Sequence, residues 1–351
     1  MRLTLERRHI ITQRELVMIA IISTVCSLLA FSIVFLEAGI NPIYAYIIFF
    51  DHGFTTPGLY NTIQRTTILL FDTLAFIIPL TAGIWNLGVE GQFYMGAIGA
   101  IGTSYLFANM PSYIIIPIMI IASAVLGGIY ALIPGYLKGK MFINETLTTL
   151  FLNYIVIFIV MYLCRGPWMG VHGLPISKPV VPAGRVPQIG DTGIPYTIFL
   201  AIGAAIAIYI FLKKTVLGYK IKLFGHNPSA ARYAGMNFAR IASMTMFLAG
   251  MVGGLAGFHQ ISGVIGTLRH DLSPGWGYYA IVFGLIANLN PISAIIVSFV
   301  LTGFLVGTES LYPRLGMRFG VVDLFIGVFC IVFICFQFLR NYRFKLDRGG
   351  R

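Results

Sequence analysis

Charged residues are scarce in this chain. They make up 10% of its 351 residues, whereas soluble globular proteins carry about 25%. Hydrophobic residues make up 58%, so the composition excludes a soluble globular protein and predicts a chain that crosses a membrane several times. We therefore expect an all-α fold, a polytopic transmembrane helical bundle.

The sequence also lacks the residue patterns of common catalytic and metal sites. Its four cysteines form no CxxC pair, which argues against a zinc site or a disulfide framework. No HExxH or GxSxG motif is present, and the only Gly-Lys pair, Gly139-Lys140, is not part of a GxxxxGK[ST] phosphate loop. We therefore predict no catalytic residue, no metal site and no cofactor, and we expect this chain not to hydrolyse ATP.

Apolar segments recur along the chain, and several approach the length of about 20 residues that a helix needs to cross a bilayer. We predict ten spans, and the pattern is compatible with eight to eleven. Two of the ten are short or weakly apolar and are candidates for broken or re-entrant helices. The predicted spans lie near 16–36, 60–83, 93–108, 112–137, 145–164, 195–212, 240–260, 276–289, 291–308 and 320–340.

Basic residues predict the orientation, because Lys and Arg are enriched in cytoplasmic segments. With the N-terminus inside, most of the 24 basic residues fall on inner segments, so both termini are predicted to be cytoplasmic. The net charge of +12 is then explained by basic residues that set the orientation of the chain in the membrane and lie next to lipid. Nucleic-acid binding is not expected, because it would need a contiguous basic face interleaved with aromatic or base-reading groups.

Two loops are long enough to do more than connect spans. The outer loop, 165–194, is rich in Pro and Gly, and it either caps the outer mouth or is a plain connector. The inner loop, 213–239, contains Asn227-Pro228, which is typical of a helix start, and Gly235, which is typical of a helix end. It therefore contains a helix of about two turns, too short to be stable alone, which docks on a partner protein or on its own chain.

The stretch from residue 84 to 93 is polar and rich in glycine between two apolar runs. Upstream, Pro79 removes one helical hydrogen bond, and within the stretch Gly88 and Gly91 lower helix propensity. We therefore predict a broken or re-entrant helix near residues 79–95. Transporters often form binding sites at such breaks, where protein or a cavity satisfies the freed backbone groups.

Candidate binding residues lie in this stretch and in a second one that begins near residue 273. Polar side chains at these depths either contact a transported solute or bond freed backbone groups and neighbouring helices, and both interpretations stay open. Aromatic rings could stack on a solute, although rings in membrane spans more often serve packing. The candidate path residues are Trp85, Asn86, Glu90, Gln92, Trp276 and Tyr278, with Asp72 and Asp323 as further candidates for polar lining.

Four stretches resemble one known family. They are 85–92, which contains the run Asn-x-Gly-x-Glu-Gly-Gln, and 144–154, 225–237 and 273–291. These stretches are similar to the permease subunits of prokaryotic ATP-binding-cassette (ABC) importers. Within the branched-chain amino acid and ribose-type permease superfamily, the branch is the one that serves simple sugars and nucleosides. The segment 287–289 departs from the family, whose members usually have a small Gly-containing turn there.

We treat residues 1–351 as one transmembrane permease domain, with a cytoplasmic N-terminal extension at 1–15. The resemblance implies transport of a nucleoside or related simple sugar across a prokaryotic plasma membrane, with ATP hydrolysed by a separate cytoplasmic ATPase. The other implied partners are a second permease, forming a heterodimer, and an extracellular substrate-binding lipoprotein. The implied coupling residues, which would sit in a groove of the ATPase, are Gly225, Asn227, Pro228, Ala231, Tyr233 and Gly235.

An alternative hypothesis is an ion-gradient-driven secondary transporter or a channel for a small polar solute. Such a protein would need paired acidic or basic groups deep in several spans to carry the coupling ion. The sequence offers only Asp72 and Glu90, with no Lys or Arg at similar depth. An intramembrane enzyme would need a constellation of His, Ser or Asp residues that the sequence does not contain.

Overall fold

The computed structural model describes residues 2–7, 13–170 and 173–317, and beyond them positions 320, 324–325, 327–329, 331–332, 335 and 342–347. Within these ranges the chain is mainly α-helical, as predicted. The helices are α1 (Gln13–Glu37), α2 (Pro42–Phe54), α3 (Gly58–Thr81), α4 (Val89–Leu106), α5 (Ser112–Met141), α6 (Glu145–Arg165), α7 (Thr197–Lys214), α8 (Val216–His226), α9 (Pro228–Tyr233), α10 (Phe238–Phe258), α11 (Trp276–Ile286) and α12 (Pro291–Leu315).

The chain forms two compact units, one within residues 1–59 and 303–351 and the other within residues 60–302. The first unit contains a feature that the sequence reading did not predict. Two short strands, β1 (Arg2–Arg7) and β2 (Tyr342–Asp347), pair antiparallel. In the same unit α1 and α2 are bent by 119° at the break between them.

Aromatic side chains form the interior of the first unit. The Phe31 and Phe325 rings lie edge to face with centroids 4.8 Å apart, and Phe49 contacts Phe304 at 5.5 Å. A Cβ atom on Gly307 would lie 2.5 Å from the Phe49 carbonyl oxygen, so the backbones of α2 and α12 are in contact there. Edge-to-face pairs of this kind stabilise a core beyond their buried area.

The second unit is built around α10, which packs against α4 and α5 through glycines. A Cβ atom on Gly254 would lie 2.2 Å from the Ser123 carbonyl oxygen, and one on Gly96 would lie 2.1 Å from the Gly254 carbonyl oxygen. These contacts leave no room for a side chain, so the three helix backbones touch. Small residues commonly allow such close approach between membrane helices. Residues His259–Ile265 continue α10 as a π-helical segment.

The predicted break lies at residues 82–88, between α3 and α4, and it is confirmed. Pro79 lies within α3 and is not the residue that ends the helix. Gly83 follows the helix end with φ +75°, and its N–H donates to the Leu80 carbonyl oxygen at 2.9 Å. The Ile84 N–H donates to the Pro79 carbonyl oxygen at 3.0 Å. A left-handed glycine commonly ends a helix with this pair of bonds.

The outer loop, 165–194, packs on the π-helical segment. The Val186 N–H donates to the Ser262 carbonyl oxygen at 3.0 Å, and the Arg185 guanidinium donates to the Val264 carbonyl oxygen at 3.2 Å. Partial burial lowers the pKa of the Arg185 guanidinium below its ordinary value. The loop is therefore fixed to the end of a membrane helix, and its role as a cap over an outer mouth stays a prediction.

Six helices among the described residues are long and apolar enough to cross a membrane, or up to seven if the bent pair α1 and α2 is one span. The six are α3, α5, α6, α7, α12 and α10 with its π-helical extension. The two spans predicted to be short correspond to α4, with 18 residues, and α11, with 11. The predicted span 320–340 lies largely outside the described residues, as does Asp323. The count of ten spans and the cytoplasmic termini therefore stay predictions.

Candidate functional site

Two polar side chains on α6 bond the unwound segment 82–88. Thr149 Oγ1 accepts a hydrogen bond from the Leu87 N–H at 3.2 Å, and Asn153 Nδ2 donates to the Leu87 carbonyl oxygen at 2.7 Å. Asn153 Oδ1 also accepts from the Gly91 N–H at 2.8 Å, in the first turn of α4. These side chains replace helical hydrogen bonds that the break removes and that hydrocarbon could not supply.

The side-chain amides of Asn86 and Gln92 pair with each other. Asn86 Nδ2 donates to Gln92 Oε1 at 3.2 Å, and Gln92 Nε2 donates to Asn86 Oδ1 at 3.0 Å. Asn86 Oδ1 also accepts from the Gly88 N–H at 3.1 Å, and both side chains are buried. In this conformation the two residues hold the break together across the start of α4.

Glu90 joins the first turn of α4 to the first turn of α11. Its Oε2 accepts from the Gly277 N–H at 2.8 Å, and its carboxylate bonds the Ser273 side chain. A Cβ atom on Gly277 would lie 2.4 Å from the Glu90 backbone nitrogen, so the two helix ends touch. Helix N-terminal ends carry partial positive charge, which favours a carboxylate between them. Glu90 therefore accepts from a backbone N–H of α11. Among the described residues, it does not bond a backbone group that the break between α3 and α4 leaves free.

The point where Glu90 of α4 meets Gly277 of α11, which we call the junction, lies near the middle of α6. Asn153, which bonds the start of α4, is well inside the 21 residues of α6. The 11 residues of α11 are too few to cross a bilayer, so this helix covers only part of the depth. Many transporters form their binding sites where interrupted helices end inside the membrane.

Aromatic side chains lie beside the junction. The Trp276 ring packs edge to face on Phe93 with centroids 6.0 Å apart, and it is 8% exposed. The Tyr278 hydroxyl accepts from Asn153 Nδ2 at 3.2 Å, and 36% of Tyr278 is exposed. Tyr278 is therefore the more accessible of these two candidates.

Trp85 lies outside the junction. Its ring packs edge to face on Phe76 at 6.1 Å, and 43% of the residue is exposed. Its backbone N–H donates to the Glu145 carboxylate at 3.5 Å, and that carboxylate pairs with Lys138 at 2.7 Å. The structure thus places Trp85 beside an ion pair at the start of α6 and does not bring it together with Trp276 and Tyr278.

Asp72 is fully buried on α3, and neither of its carboxylate oxygens has a hydrogen-bond partner among the residues that the structure describes. The Glu90 carboxylate acts on it electrostatically, so two acidic groups share this interior. A buried carboxyl group without a partner costs on the order of several kcal/mol if it stays charged. Ionisable groups kept inside membrane spans at such a cost are commonly functional.

Sequence reasoning missed Thr149 and Ser273 as site residues, and it gave no role to Asn153, which lies in the stretch 144–154. A signal was present on α6, because Thr149 and Asn153 are one helical turn apart and therefore lie on one face of a predicted membrane span. Ser273 precedes α11, and its Oγ accepts from the Trp276 N–H at 3.0 Å, as a residue that caps a helix start does.

The inner loop forms the predicted short helix, α9. Asn227 Oδ1 accepts from the Ala230 N–H at 3.0 Å, and Pro228 is the first residue of the helix. Gly235 follows the helix end with φ +73°, and its N–H donates to the Arg232 carbonyl oxygen at 2.9 Å. The cap, the first helical residue and the terminating glycine are therefore those that the sequence predicts.

One face of α9 is attached to the chain and the other is free. Ala231 is fully buried, and the Arg232 guanidinium lies 5.7 Å and 5.6 Å from the ring centroids of Phe142 and Phe238. Tyr233, in contrast, is 94% exposed. Of the predicted coupling residues, Ala231 thus faces the protein and Tyr233 faces outward.

Gly225 brings the inner loop into contact with the break. A Cβ atom on Gly225 would lie 2.1 Å from the Thr81 carbonyl oxygen, at the end of α3. A Cβ atom on Gly83 would lie 3.7 Å from the Gly225 Cα atom. The end of α8 therefore lies directly on the backbone at the start of the unwound segment.

Apolar helices around a buried polar junction define a polytopic membrane protein of the transport class. The family described as branched-chain amino acid transport system / permease component matches residues 58–336, and this chain belongs to that family. No solved structure matches the chain.

Curated relatives match over most of their length. The glucose ABC transporter permease protein TsgB13 of Haloferax volcanii is 27% identical over 347 residues, covering 94% of this chain and 90% of the relative. The guanosine ABC transporter permease protein NupP of Bacillus subtilis is 25% identical, with 83% and 84% covered. The nucleoside ABC transporter permease protein NupB of Lactococcus lactis is 26% identical, with 79% of each chain covered.

These matches confirm the family that the four sequence stretches indicated. The protein is a permease subunit of an ABC importer and a multi-pass protein of the plasma membrane. The family is one of transport subunits, and membership of an ABC system implies an ATPase and a substrate-binding protein as partners.

Replacing Asn153 or Asp72 with leucine should change stability in opposite directions. Asn153→Leu leaves buried groups of Leu87 and Gly91 unsatisfied, at about 1–3 kcal/mol each, so the Tm should fall. Asp72→Leu removes a buried polar group without a partner, so the Tm should rise. Thermal unfolding of the detergent-purified chain measures both, with Tyr162→Leu on the exposed face of α6 as control. A lower Tm for Asp72→Leu would mean that this carboxyl group has a partner in the native protein.

Proposed function

We propose that this chain and a second, different permease form the membrane path of an ATP-driven importer for a nucleoside or related simple sugar. A separate cytoplasmic ATPase hydrolyses the ATP, and an extracellular lipoprotein delivers the solute. The chain itself uses no cofactor and performs no chemistry on the solute.

The observation that carries the proposal is the junction of α4 and α11 at Glu90. It combines hydrogen-bonding groups with aromatic rings, and these suit a solute that has several hydroxyl groups and a ring. The relatives named for glucose, guanosine and nucleosides act on solutes of that kind. The run Asn-x-Gly-x-Glu-Gly-Gln at residues 86–92 favours a nucleoside within this class.

A mechanical path supports the coupling part of the proposal. Closure of the ATPase pair would move α9, and α8 would move with it. Because Gly225 lies against the Thr81 carbonyl oxygen, such a movement reaches the unwound segment directly. That segment holds the start of α4 through Asn153, so the junction at Glu90 would shift with it. The change is a rigid-body exchange between two packings of the helices.

Reconstitution tests the proposal against the ion-driven alternative, which the buried pair Asp72 and Glu90 would serve. Proteoliposomes with this chain, the second permease, the ATPase and the binding lipoprotein should accumulate radiolabelled nucleoside only when ATP is supplied. An ATPase with its phosphate-loop lysine replaced is the matched control and should give no uptake. Uphill uptake by this chain alone under a proton or sodium gradient would contradict the proposal.

Glu90→Gln separates the charge of this residue from its hydrogen bond. A glutamine oxygen can still accept from the Gly277 N–H, so assembly should be kept, and Tm should fall only slightly because the favourable interaction of the carboxylate charge with the helix ends is lost. Nucleoside uptake should fall by about tenfold or more, because the solute would lose a hydrogen bond to a charged carboxylate. Such a bond contributes about 1.5–3 kcal/mol. Uptake and Tm are measured on the same preparation. Glu90→Leu removes the charge and the hydrogen bond, so it should lower both uptake and Tm. Unchanged uptake by Glu90→Gln would leave the residue a purely structural role.

Tyr233→Ala should weaken assembly with the ATPase. The few residues that dominate an interface are often tyrosines, and each contributes about 2 kcal/mol or more to binding. Co-purification of the ATPase with tagged permease measures the loss. Tyr219→Ala is the control, because Tyr219 is also exposed, at 63%, and lies on the neighbouring helix α8. Equal recovery of the ATPase with both variants would exclude α9 as the docking helix.

A further inference from the structure

A cavity of about 710 Å³ opens on the same side of the protein as α9. The C-terminal ends of α3, α7 and α8 line it, together with residues 288–291 before and at the start of α12. Its charged lining consists of Lys213 and Lys222, with His226 beside them, and no Asp or Glu lines it. The volume is sufficient for a small anion or a lipid headgroup.

The positive charge around this cavity is uncompensated within the described part of the chain. Lys213 Nζ donates to the Tyr209 hydroxyl at 2.9 Å, and Lys214 and Lys222 also act electrostatically on that hydroxyl. None of the three lysines forms an ion pair with another described residue. Like charges that act on one hydroxyl group also repel each other, and an anion bound in the cavity would relieve the repulsion.

Part of the backbone that lines the cavity is in an unfavourable conformation. Asn288 and Leu289 have φ of +53° and +56°, in the left-handed region that residues other than glycine seldom occupy. They lead into Asn290, whose side chain accepts from the Ile292 N–H at 3.0 Å at the start of α12. Proteins tend to keep such conformations at functional sites, and the partial positive charge of a helix start adds to that of the lysines.

The general enrichment of basic residues on the cytoplasmic side does not account for this arrangement. That rule places lysines near the membrane surface, as it does for Lys220, which lies on α8 but does not line the cavity. It gives no reason for Lys213 and Lys222, from two different helices, to converge on one concave site.

We propose that this cavity binds a phosphate-bearing anion, held by Lys213 and Lys222. Lysine binds phosphate as a point charge, and a polyvalent anion can neutralise several ammonium groups at once. The anion comes from a phospholipid headgroup of the adjacent leaflet or from a free phosphate compound in solution. Binding does not depend on the identity of the transported solute.

Thermal unfolding of the full chain tests this proposal. The chain is placed in phosphatidylcholine nanodiscs and titrated with inorganic phosphate at constant ionic strength, with chloride as the balancing ion. The wild type should show a saturable rise in Tm. In the double variant Lys213→Gln, Lys222→Gln the apparent affinity should fall by about tenfold or more, since charged hydrogen bonds are lost. Lys220→Gln is the matched control and should respond like the wild type.

A second arm distinguishes the sources of the anion. It compares nanodiscs of phosphatidylcholine alone with nanodiscs that also contain phosphatidylglycerol. A Tm rise with phosphatidylglycerol but not with free phosphate, lost in the double variant, supports a lipid headgroup. A response to free phosphate in phosphatidylcholine supports a soluble compound.

Two results would overturn the proposal. One is a wild-type chain that responds to phosphate no more than to chloride and is indifferent to phosphatidylglycerol. The other is a double variant that responds as the wild type does. If Lys213 and Lys222 instead change Tm only when the ATPase is added, the cavity receives an acidic side chain of that partner, and the anion site is excluded. If the double variant does not fold, Lys222→Gln alone and the wild-type titration still decide the matter.

Discussion

A backbone that leaves the helical conformation inside a membrane must find its hydrogen bonds within the protein, since hydrocarbon supplies none. Residues 82–88 meet this need through α6, where Thr149 and Asn153 present the acceptors and the donor that the break requires. The position of α4 follows, because Asn153 bonds its first turn. Glu90 is thereby placed beside the start of α11, and the candidate site depends on that placement.

The features that the sequence predicted correctly depend on a few neighbouring residues. Asn227, Pro228 and Gly235 determine the two ends of α9 through capping and through glycine at positive φ, which are local effects. The break near residues 79–95 was also predictable, since a polar, glycine-rich stretch between apolar runs cannot continue as a lipid-exposed helix.

The features that were missed depend on residues far apart in the sequence. The bond between Asn153 and the Leu87 carbonyl oxygen joins positions separated by all of α4 and all of α5, and no local pattern indicates it. The sequence likewise suggested Pro79 as a cause of the break, whereas Gly83 ends α3. The Ala75 carbonyl oxygen, which Pro79 cannot bond, accepts instead from Asn86 Nδ2 at 3.4 Å, so the helix continues past the proline. Pairing of β1 with β2 brings the two ends of the chain together, which no short-range signal predicts.

The helix α9 separates the residues that attach it from those that it presents. Ala231 is buried and Arg232 lies against two phenylalanine rings, whereas Ser229 and Tyr233 face outward. Substitutions at the outward positions need not disturb the loop. In the proposed assembly, a permease lineage could therefore exchange one ATPase for another during evolution through those positions alone, while the membrane-embedded part of the protein diverged at its own pace.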